Sequence, residues 1–118
     1  MAGKIVWIDL TVEHAESTRD FYANVLGWEA EPVSMGSYSD YNMLPAEGEE
    51  PVAGVCHARG PNQGVPPVWM LYVTVEDLGA AMEQCTASGG TIVRAPTEGG
   101  SSCIIRDPAG AVLTLYQE

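Results

Sequence analysis

Residues 4–13 read KIVWIDLTVE, and residues 68–76 read VWMLYVTVE. Both stretches are apolar runs that end in the same tripeptide, which begins at Thr11 in the first stretch and at Thr74 in the second. Each tripeptide is followed by a helix-like segment and then by glycine. Self-similarity of this kind is typical of a duplicated structural unit. The chain therefore looks like two tandem copies of one unit.

Each copy predicts the element order βαβββ. Residues 4–12 are rich in β-branched side chains, which favours a strand, and residues 15–26 carry apolar side chains at helical spacing. In the second copy Asp77 is a good helix N-cap, and Gly27 and Gly90 suit helix ends that need a positive φ. Three short strand-like runs follow each helix. They are residues 28–34, 38–44 and 52–58 in the first copy, and residues 91–95, 102–106 and 111–117 in the second.

We expect the whole chain, residues 1–118, to form a single domain of two modules. Module one covers about residues 1–58, a linker rich in Pro and Gly covers about residues 59–67, and module two covers about residues 68–118. A chain of this length can bury a sizeable core. A ferredoxin-like βαββαβ arrangement is the alternative fold. It fits less well because three strand runs follow each helix.

The composition is acidic, with 16 Asp and Glu residues against 5 Lys and Arg residues and a formal charge of −11. Nucleic acids and anionic membranes are bound by clustered cations, so we expect neither as a partner. No apolar run reaches the roughly 18 residues of a membrane span, and we see no features of an export signal. The 3 cysteines form no CxxC pair and are expected to be free thiols, which indicates a cytoplasmic protein.

Six short segments occur in a characteristic order along the chain. They are IDLTV at 8–12, FY at 21–22, VLGW at 25–28, VTVEDL at 73–78, RDPAG at 106–110 and LTL at 113–115. With these segments the chain resembles the vicinal oxygen chelate superfamily, which includes glyoxalase I, bleomycin-resistance proteins and extradiol dioxygenases. The resemblance implies an α+β fold in which two tandem βαβββ modules form curved sheets around a cavity, with the helices on the outer face. It also implies a homodimer.

Members of that superfamily usually hold a divalent metal, with ligands on the first and last strands of each module. The resemblance places these ligand positions at Trp7, Met70 and Thr114, with the remaining one somewhere in residues 52–56. Hard divalent ions prefer carboxylate and imidazole groups, which these positions do not offer. The two histidines do not match the family's pattern either. We therefore predict no metal ligands and no cofactor in this chain.

Alternation of side chains along a strand predicts what lines the cavity instead. If Trp7 faces the cavity, Val6 and Leu10 pack towards the helix. The predicted ligand-binding residues are Trp7, Asp9, Tyr41, Met70, Tyr72, Thr114 and Tyr116. This mixture suits a small, mostly apolar organic molecule that a few polar groups anchor. Each residue also has a plain structural explanation: Trp7 and Met70 can fill space, and Asp9 can pair with an arginine or a backbone group.

The leading hypothesis is a glyoxalase/bleomycin-resistance-like protein with a degenerate metal site that binds a small organic molecule. One alternative is a lyase, isomerase or dioxygenase of the same superfamily, which uses an atypical metal site or Asp9 as a general base. A second alternative is a non-catalytic structural or interaction module whose cavity is filled by its own side chains. Cys56 and His57 are not expected to form a catalytic dyad, since neighbouring residues of a strand point to opposite faces.

Overall fold

The computed structural model describes residues 2–118. In this part of the chain the elements are β1 (Ile5–Val12), α1 (Ala15–Leu26), β2 (Glu29–Ser34), β3 (Ser39–Leu44), β4 (Ala53–His57), β5 (Trp69–Val75), α2 (Leu78–Ala87), β6 (Thr91–Arg94), β7 (Ser102–Arg106) and β8 (Val112–Gln117). The predicted α+β class and the two βαβββ modules are confirmed. The predicted linker contains a short 3-10 turn at Gly60–Asn62. Neither helix of residues 2–118 has the length and apolar character needed to cross a bilayer.

The chain divides into two compact units, which we call the first unit and the second unit. The first unit is Ile8–Trp69, and the second unit is residues 2–7 together with Met70–Glu118. The repeat places residues 2–7 in the first copy, but their backbone pairs with β5. The amide of Gly3 donates to the carbonyl of Thr74 at 2.7 Å, and the amide of Thr74 donates to the carbonyl of Lys4 at 2.9 Å. These two hydrogen bonds hold the beginning of β1 in the second unit.

In the first unit the strand order is β2-β3-β4-β1, and only the β4–β1 pair is parallel. Alternate side chains of β3 and β4 point towards α1. There Met43 and Val55 pack with Tyr41 and with Ala15 of α1, and Val12 adds to this cluster. Met43 and Val55 are fully buried. From α1, it is Ala15 that is fully buried in this cluster.

In the second unit the strand order is β5-β8-β7-β6, and only the β5–β8 pair is parallel. This is the order of the first unit repeated, since the first strand of each unit lies parallel to the last. The core beneath α2 is formed by Leu78, Cys103 and Leu115, with partly buried apolar side chains around them. Because Leu115 points towards α2, its neighbours Thr114 and Tyr116 point to the opposite face of the sheet.

The capping residues of the two helices are those predicted, except for one glycine. Asp77 caps α2, and its Oδ1 accepts a hydrogen bond from the amide of Ala80 at 3.0 Å, as predicted. Gly27 ends α1 with φ 75°, also as predicted. At the end of α2, however, the positive φ lies at Gly89 and not at Gly90. Gly90 is required for a different reason, since a Cβ there would lie 2.9 Å from the carbonyl oxygen of Arg106.

Candidate functional site: an aromatic pocket in the second unit

A pocket of about 430 Å³ lies within the second unit. Five residues line it: Val6, Trp7, Tyr72, Ser102 and Tyr116. This volume falls within the range of about 300–1,000 Å³ that is usual for small-molecule sites. Three of the five side chains are aromatic, and none of the five is charged. The lining therefore contains three aromatic rings, two of which carry phenol groups, and the hydroxyl of Ser102.

Strand pairing explains why three of these side chains share one face of the sheet. Tyr72 of β5 pairs with Thr114 of β8, so Tyr72 and Thr114 point to the same side. Tyr116 is two residues beyond Thr114 and also points to that side. Ser102 of β7 pairs directly with Tyr116. The face opposite α2 thus carries two tyrosines and a serine.

Of the seven predicted ligand-binding residues, the structure brings Trp7, Tyr72 and Tyr116 together in this pocket. Met70 and Thr114 are only 2% and 3% exposed, and neither is among the residues that line it. Asp9 and Tyr41 belong to the first unit. Tyr41 packs in the cluster beneath α1, so it points towards the helix side of its sheet. Whether any of the seven binds a ligand stays a prediction.

Two lining residues, Val6 and Ser102, were missed by the sequence reasoning. Val6 is expected to pack towards a helix, yet it is 41% exposed and lines the pocket. Val12, at the other end of β1, does pack against the cluster beneath α1, so only the later part of the strand follows the expected pattern. Ser102 could have been found from the β7–β8 hairpin, because a residue that pairs with Tyr116 must share its face.

The equivalent positions of the first unit carry a different set of side chains. Asp9 pairs with Gly54 as Tyr72 pairs with Thr114, so Asp9 and Cys56 are the counterparts of Tyr72 and Tyr116. Burial and the nearby carboxylates of Asp9 and Asp40 raise the pKa of Cys56 to about 12. A thiol with such a pKa remains protonated near neutral pH and is a poor nucleophile. The two copies have therefore diverged into an aromatic face and an acidic one.

A second polar cluster in the first unit surrounds His57, whose side chain is buried. Oδ1 of Asp40 accepts a hydrogen bond from the backbone amide of His57 at 2.8 Å, and it lies 3.4 Å from Nδ1 of the ring. Nε2 of the ring lies 3.2 Å from Oε1 of Glu16 on α1. Among residues 2–118, Nδ1 has no well-aligned hydrogen-bond partner. The cluster links β3, β4 and α1, and nothing in the sequence pattern pointed to it.

The residues present do not fit the divalent metal that the superfamily usually holds. Trp7, Met70 and Thr114 occupy the positions that the resemblance assigns to ligands, and the last two are buried thioether and hydroxyl groups. In the part of the chain that the structure describes, no group of three or more His, Cys, Asp or Glu side chains is placed to hold a metal ion. Hard divalent ions require such oxygen and nitrogen donors. No chemical step can be derived through a metal at this site.

The lining of the pocket is suited to binding more than to acid–base chemistry. Its only titratable side chains are the phenols of Tyr72 and Tyr116. No carboxylate or imidazole is among the five lining residues, so the usual general acids and bases are missing from that set. Aromatic side chains with a few hydroxyl groups are typical of sites that hold an organic molecule through its apolar surface.

Comparison with known proteins establishes the family. The family model described as the Glyoxalase/Bleomycin resistance protein/Dioxygenase superfamily matches residues 4–115. The chain belongs to this superfamily. This confirms the resemblance that the six sequence segments carry, and it agrees with the duplicated βαβββ units of the structure.

Curated relatives of similar sequence are longer proteins. "Putative glyoxylase CFP32" of Mycobacterium bovis is 29% identical over 116 residues, which cover 94% of this chain and 44% of that protein. "Anthracycline biosynthesis protein DnrV" of Streptomyces peucetius is 29% identical over 117 residues, which cover 98% of this chain and 42% of that protein. The chain thus spans less than half the length of these relatives.

Solved structures of the same fold include named enzymes. Methylmalonyl-CoA epimerase of Streptomyces coelicolor, in complex with 2-nitronate-propionyl-CoA, matches with a TM-score of 0.55 and 13% identity, covering 100% of this chain and 99% of the epimerase. BphC, a halotolerant catechol dioxygenase, matches with a TM-score of 0.56 and 14% identity, covering 99% of this chain and 40% of the dioxygenase. At such identities the likeness establishes the fold alone.

Proposed function

We propose that this member of the glyoxalase/bleomycin-resistance superfamily binds a small, largely apolar aromatic molecule in the second-unit pocket, without a metal. The observation that carries the proposal is the lining, in which Trp7, Tyr72 and Tyr116 surround a volume of about 430 Å³. Aromatic side chains bind other rings by stacked or edge-to-face contacts that add to simple burial. Ser102 and the phenol groups supply the few polar contacts that would orient such a ligand.

A relative's name supports an aromatic ligand. DnrV, named for anthracycline biosynthesis, shares 29% identity over 98% of this chain. Anthracyclines are planar, fused aromatic compounds, and an aromatic pocket is chemically suited to such a shape. Because this chain spans less than half of DnrV, we carry over the class of ligand and not the activity of the whole protein.

Binding of neutral acridine, measured by calorimetry, tests the proposal. We expect saturable binding to the wild-type chain and a matching increase of the unfolding temperature, since a ligand that binds only the folded state stabilises it. Tyr72→Ala and Tyr116→Ala should each weaken binding at least about fivefold, because truncating an aromatic side chain that anchors a ligand costs more than about 1 kcal/mol. Met35→Ala truncates an exposed apolar side chain outside the pocket and is the control. Equal weakening in all three variants would contradict the assignment of the pocket.

Metal independence requires its own measurement. After dialysis against EDTA, the protein should bind acridine as before, and elemental analysis should find no stoichiometric Ni, Zn, Fe or Mn. This follows from the thioether, indole and hydroxyl groups at the positions where ligands are expected. A tightly held metal in stoichiometric amount would overturn this part of the proposal and favour the lyase, isomerase or dioxygenase alternative.

We also infer that the protein is a homodimer in the cytoplasm. Helix α1 exposes Phe21, Val25 and Leu26, each more than half accessible, and apolar patches of this kind often mark protein interfaces. The three free thiols support a reducing compartment. Sedimentation equilibrium of the wild type and of Val25→Glu tests the dimer: the charged variant should be monomeric. An unchanged molecular mass in the variant would exclude this face as the interface, and a monomeric wild type would exclude the dimer.

A further inference from the structure

We propose that the second-unit pocket selects an aromatic molecule that carries a carboxylate, with Arg94 as the residue that binds the negative group and Arg106 as a second cation beside it. This inference rests on the proposed function, because it names the charge class of the molecule that the same pocket would bind. It goes beyond that function by assigning the choice of ligand to two arginines that are not part of the pocket lining.

Both arginines lie on the side of the sheet that carries the two tyrosines. Arg94 of β6 pairs with Ile104 of β7, and Ile104 pairs with Thr114 of β8. Thr114 in turn pairs with Tyr72 of β5, so these four residues form one row across the sheet and share the face opposite α2. Arg106 is two residues beyond Ile104 and points to the same face.

A β-bulge is what turns Arg94 to this face. Ile92 pairs with Ile105, but Arg94 pairs with Ile104, so the register shifts by one and Val93 is the extra residue. Ile92 packs in the core beneath α2. Without the shift, simple alternation would point the side chain of Arg94 to that apolar side as well. Bulges are common next to active sites because they redirect a side chain in this way.

Arg94 is placed to reach a ligand in the pocket. Its pairing with Ile104 makes it a diagonal neighbour of Ser102, which lines the pocket. Diagonal neighbours lie about 7–8 Å apart, which is within reach of a long side chain. Arg94 is partly buried and already takes part in an interaction within the protein. A guanidinium carries five N–H donors, so it can keep an internal contact and also donate to a ligand.

The charges of this face favour an anionic group. The strands β5, β6, β7 and β8 contain no Asp or Glu, and Arg94 and Arg106 are their only charged residues. A guanidinium donates two parallel hydrogen bonds to a carboxylate, which makes it selective for a planar anion. The chain as a whole has a formal charge of −11 and attracts cations at long range. A preference for a carboxylate would therefore be due to local groups and not to the general field of the protein.

Three acridines of matched shape and different charge test the inference: acridine-9-carboxylate, neutral acridine and the 9-aminoacridine cation. Calorimetry at about pH 8 should show the carboxylate binding about tenfold more tightly than neutral acridine, because hydrogen bonds between charged groups are the strong ones. If none of the three binds, the proposed function itself fails. If neutral acridine binds and the carboxylate is no tighter, or if the cation is the tightest of the three, the proposed function stands and the present inference is wrong.

Arginine variants show whether the preference for the carboxylate over neutral acridine comes from the proposed residues. Arg94→Gln should bring the ratio of the two affinities close to one, while Arg94→Lys keeps the charge without the fork and should retain part of the preference. Arg106→Gln should lower the ratio about threefold or less, because this arginine is exposed and its charge is screened by solvent. Arg59→Gln is the control, since it removes an equal charge from an exposed arginine of the first unit.

A ratio that survives Arg94→Gln would overturn the assignment of this arginine. A ratio that falls as far in Arg59→Gln would also overturn it, because the effect would then follow from net charge alone. If Arg94→Gln fails to fold, the wild-type ratio and Arg94→Lys decide the question: a wild-type ratio near one, or no change in Arg94→Lys, contradicts the proposed pair of hydrogen bonds to the carboxylate.

Discussion

When Cys56 is replaced with alanine, the protein is expected to lose less stability at alkaline pH than the wild type does. Burial and the carboxylates of Asp9 and Asp40 raise the pKa of the folded thiol from 9.0 to about 12. A raised folded pKa means that this contribution to stability is fully present below pH 9 and is lost as the pH rises towards 12. In that range the thiol of the unfolded chain ionises, which favours unfolding, while the thiol of the folded chain does not.

The size of the effect follows from the two pKa values. A pH of about 10.5 lies about 1.5 units above the pKa of the unfolded thiol. Each of these units lowers the free energy of unfolding by about 1.4 kcal/mol, so the total loss is about 2 kcal/mol. Cys56 is only partly buried, so we halve this figure to about 1 kcal/mol to allow for solvent screening. Other groups also titrate in this range, but their contribution is common to the wild type and the variant and cancels in the comparison.

Urea unfolding followed by tryptophan fluorescence, at about pH 8 and about pH 10.5, measures this difference. Between the two conditions the wild type should lose about 1 kcal/mol more stability than Cys56→Ala. Val52→Ala is the control and should lose as much as the wild type, because it changes an exposed side chain that does not titrate. Equal losses in the wild type and Cys56→Ala would refute the reasoning that two carboxylates and burial suppress ionisation of this thiol.

Three further substitutions test the packing and polar contacts. Met43→Ala should lower the free energy of unfolding by about 2–5 kcal/mol because the Met43 side chain is fully buried. Met35→Ala, at a site 39% exposed, should change the free energy of unfolding by about 0.5 kcal/mol or less. Similar losses in both variants would contradict the assignment of the core. Asp77→Ala removes the N-cap of α2 and should cost about 1 kcal/mol in thermal or urea unfolding, and no change would mean that the cap is replaced by solvent. Glu16→Gln changes the contact between His57 and the mostly exposed Glu16 side chain and should cost less than about 1 kcal/mol in urea unfolding. A larger loss would show that this contact contributes more than the exposure of Glu16 suggests.

Much of the fold could be predicted because its signals are local. The helix over Ala15–Leu26 and the strand over Ser102–Arg106 were predicted at the residues where they occur, since apolar spacing and β-branched content act within a few positions. Trp7, Tyr72 and Tyr116 were assigned to one cavity by strand alternation, and the structure brings these three into one pocket. The repeated tripeptide, together with the apolar run before it and the helix-like segment and glycine after it, predicted the duplication, because this combination recurs in the same order in both halves.

The features that the sequence analysis did not predict depend on pairing between distant segments of the chain. Residues 2–7 join the second unit through hydrogen bonds to Thr74, which no pattern near the N-terminus reveals. His57 meets Asp40 and Glu16, residues 17 and 41 positions away, so their cluster exists only once β3, β4 and α1 are packed. In the same way, the β7–β8 register decides that Ser102 shares a face with Tyr116.

By itself, the sequence determined that this protein has two βαβββ units, belongs to its superfamily and carries an excess of negative charge. These properties follow from residue types, their spacing and their order. Only the tertiary structure decided that the second unit holds an aromatic pocket while the matching face of the first unit is acidic. The physical reason is that a pocket is defined by side chains from several strands, and hydrogen-bond register between those strands sets which side chains converge.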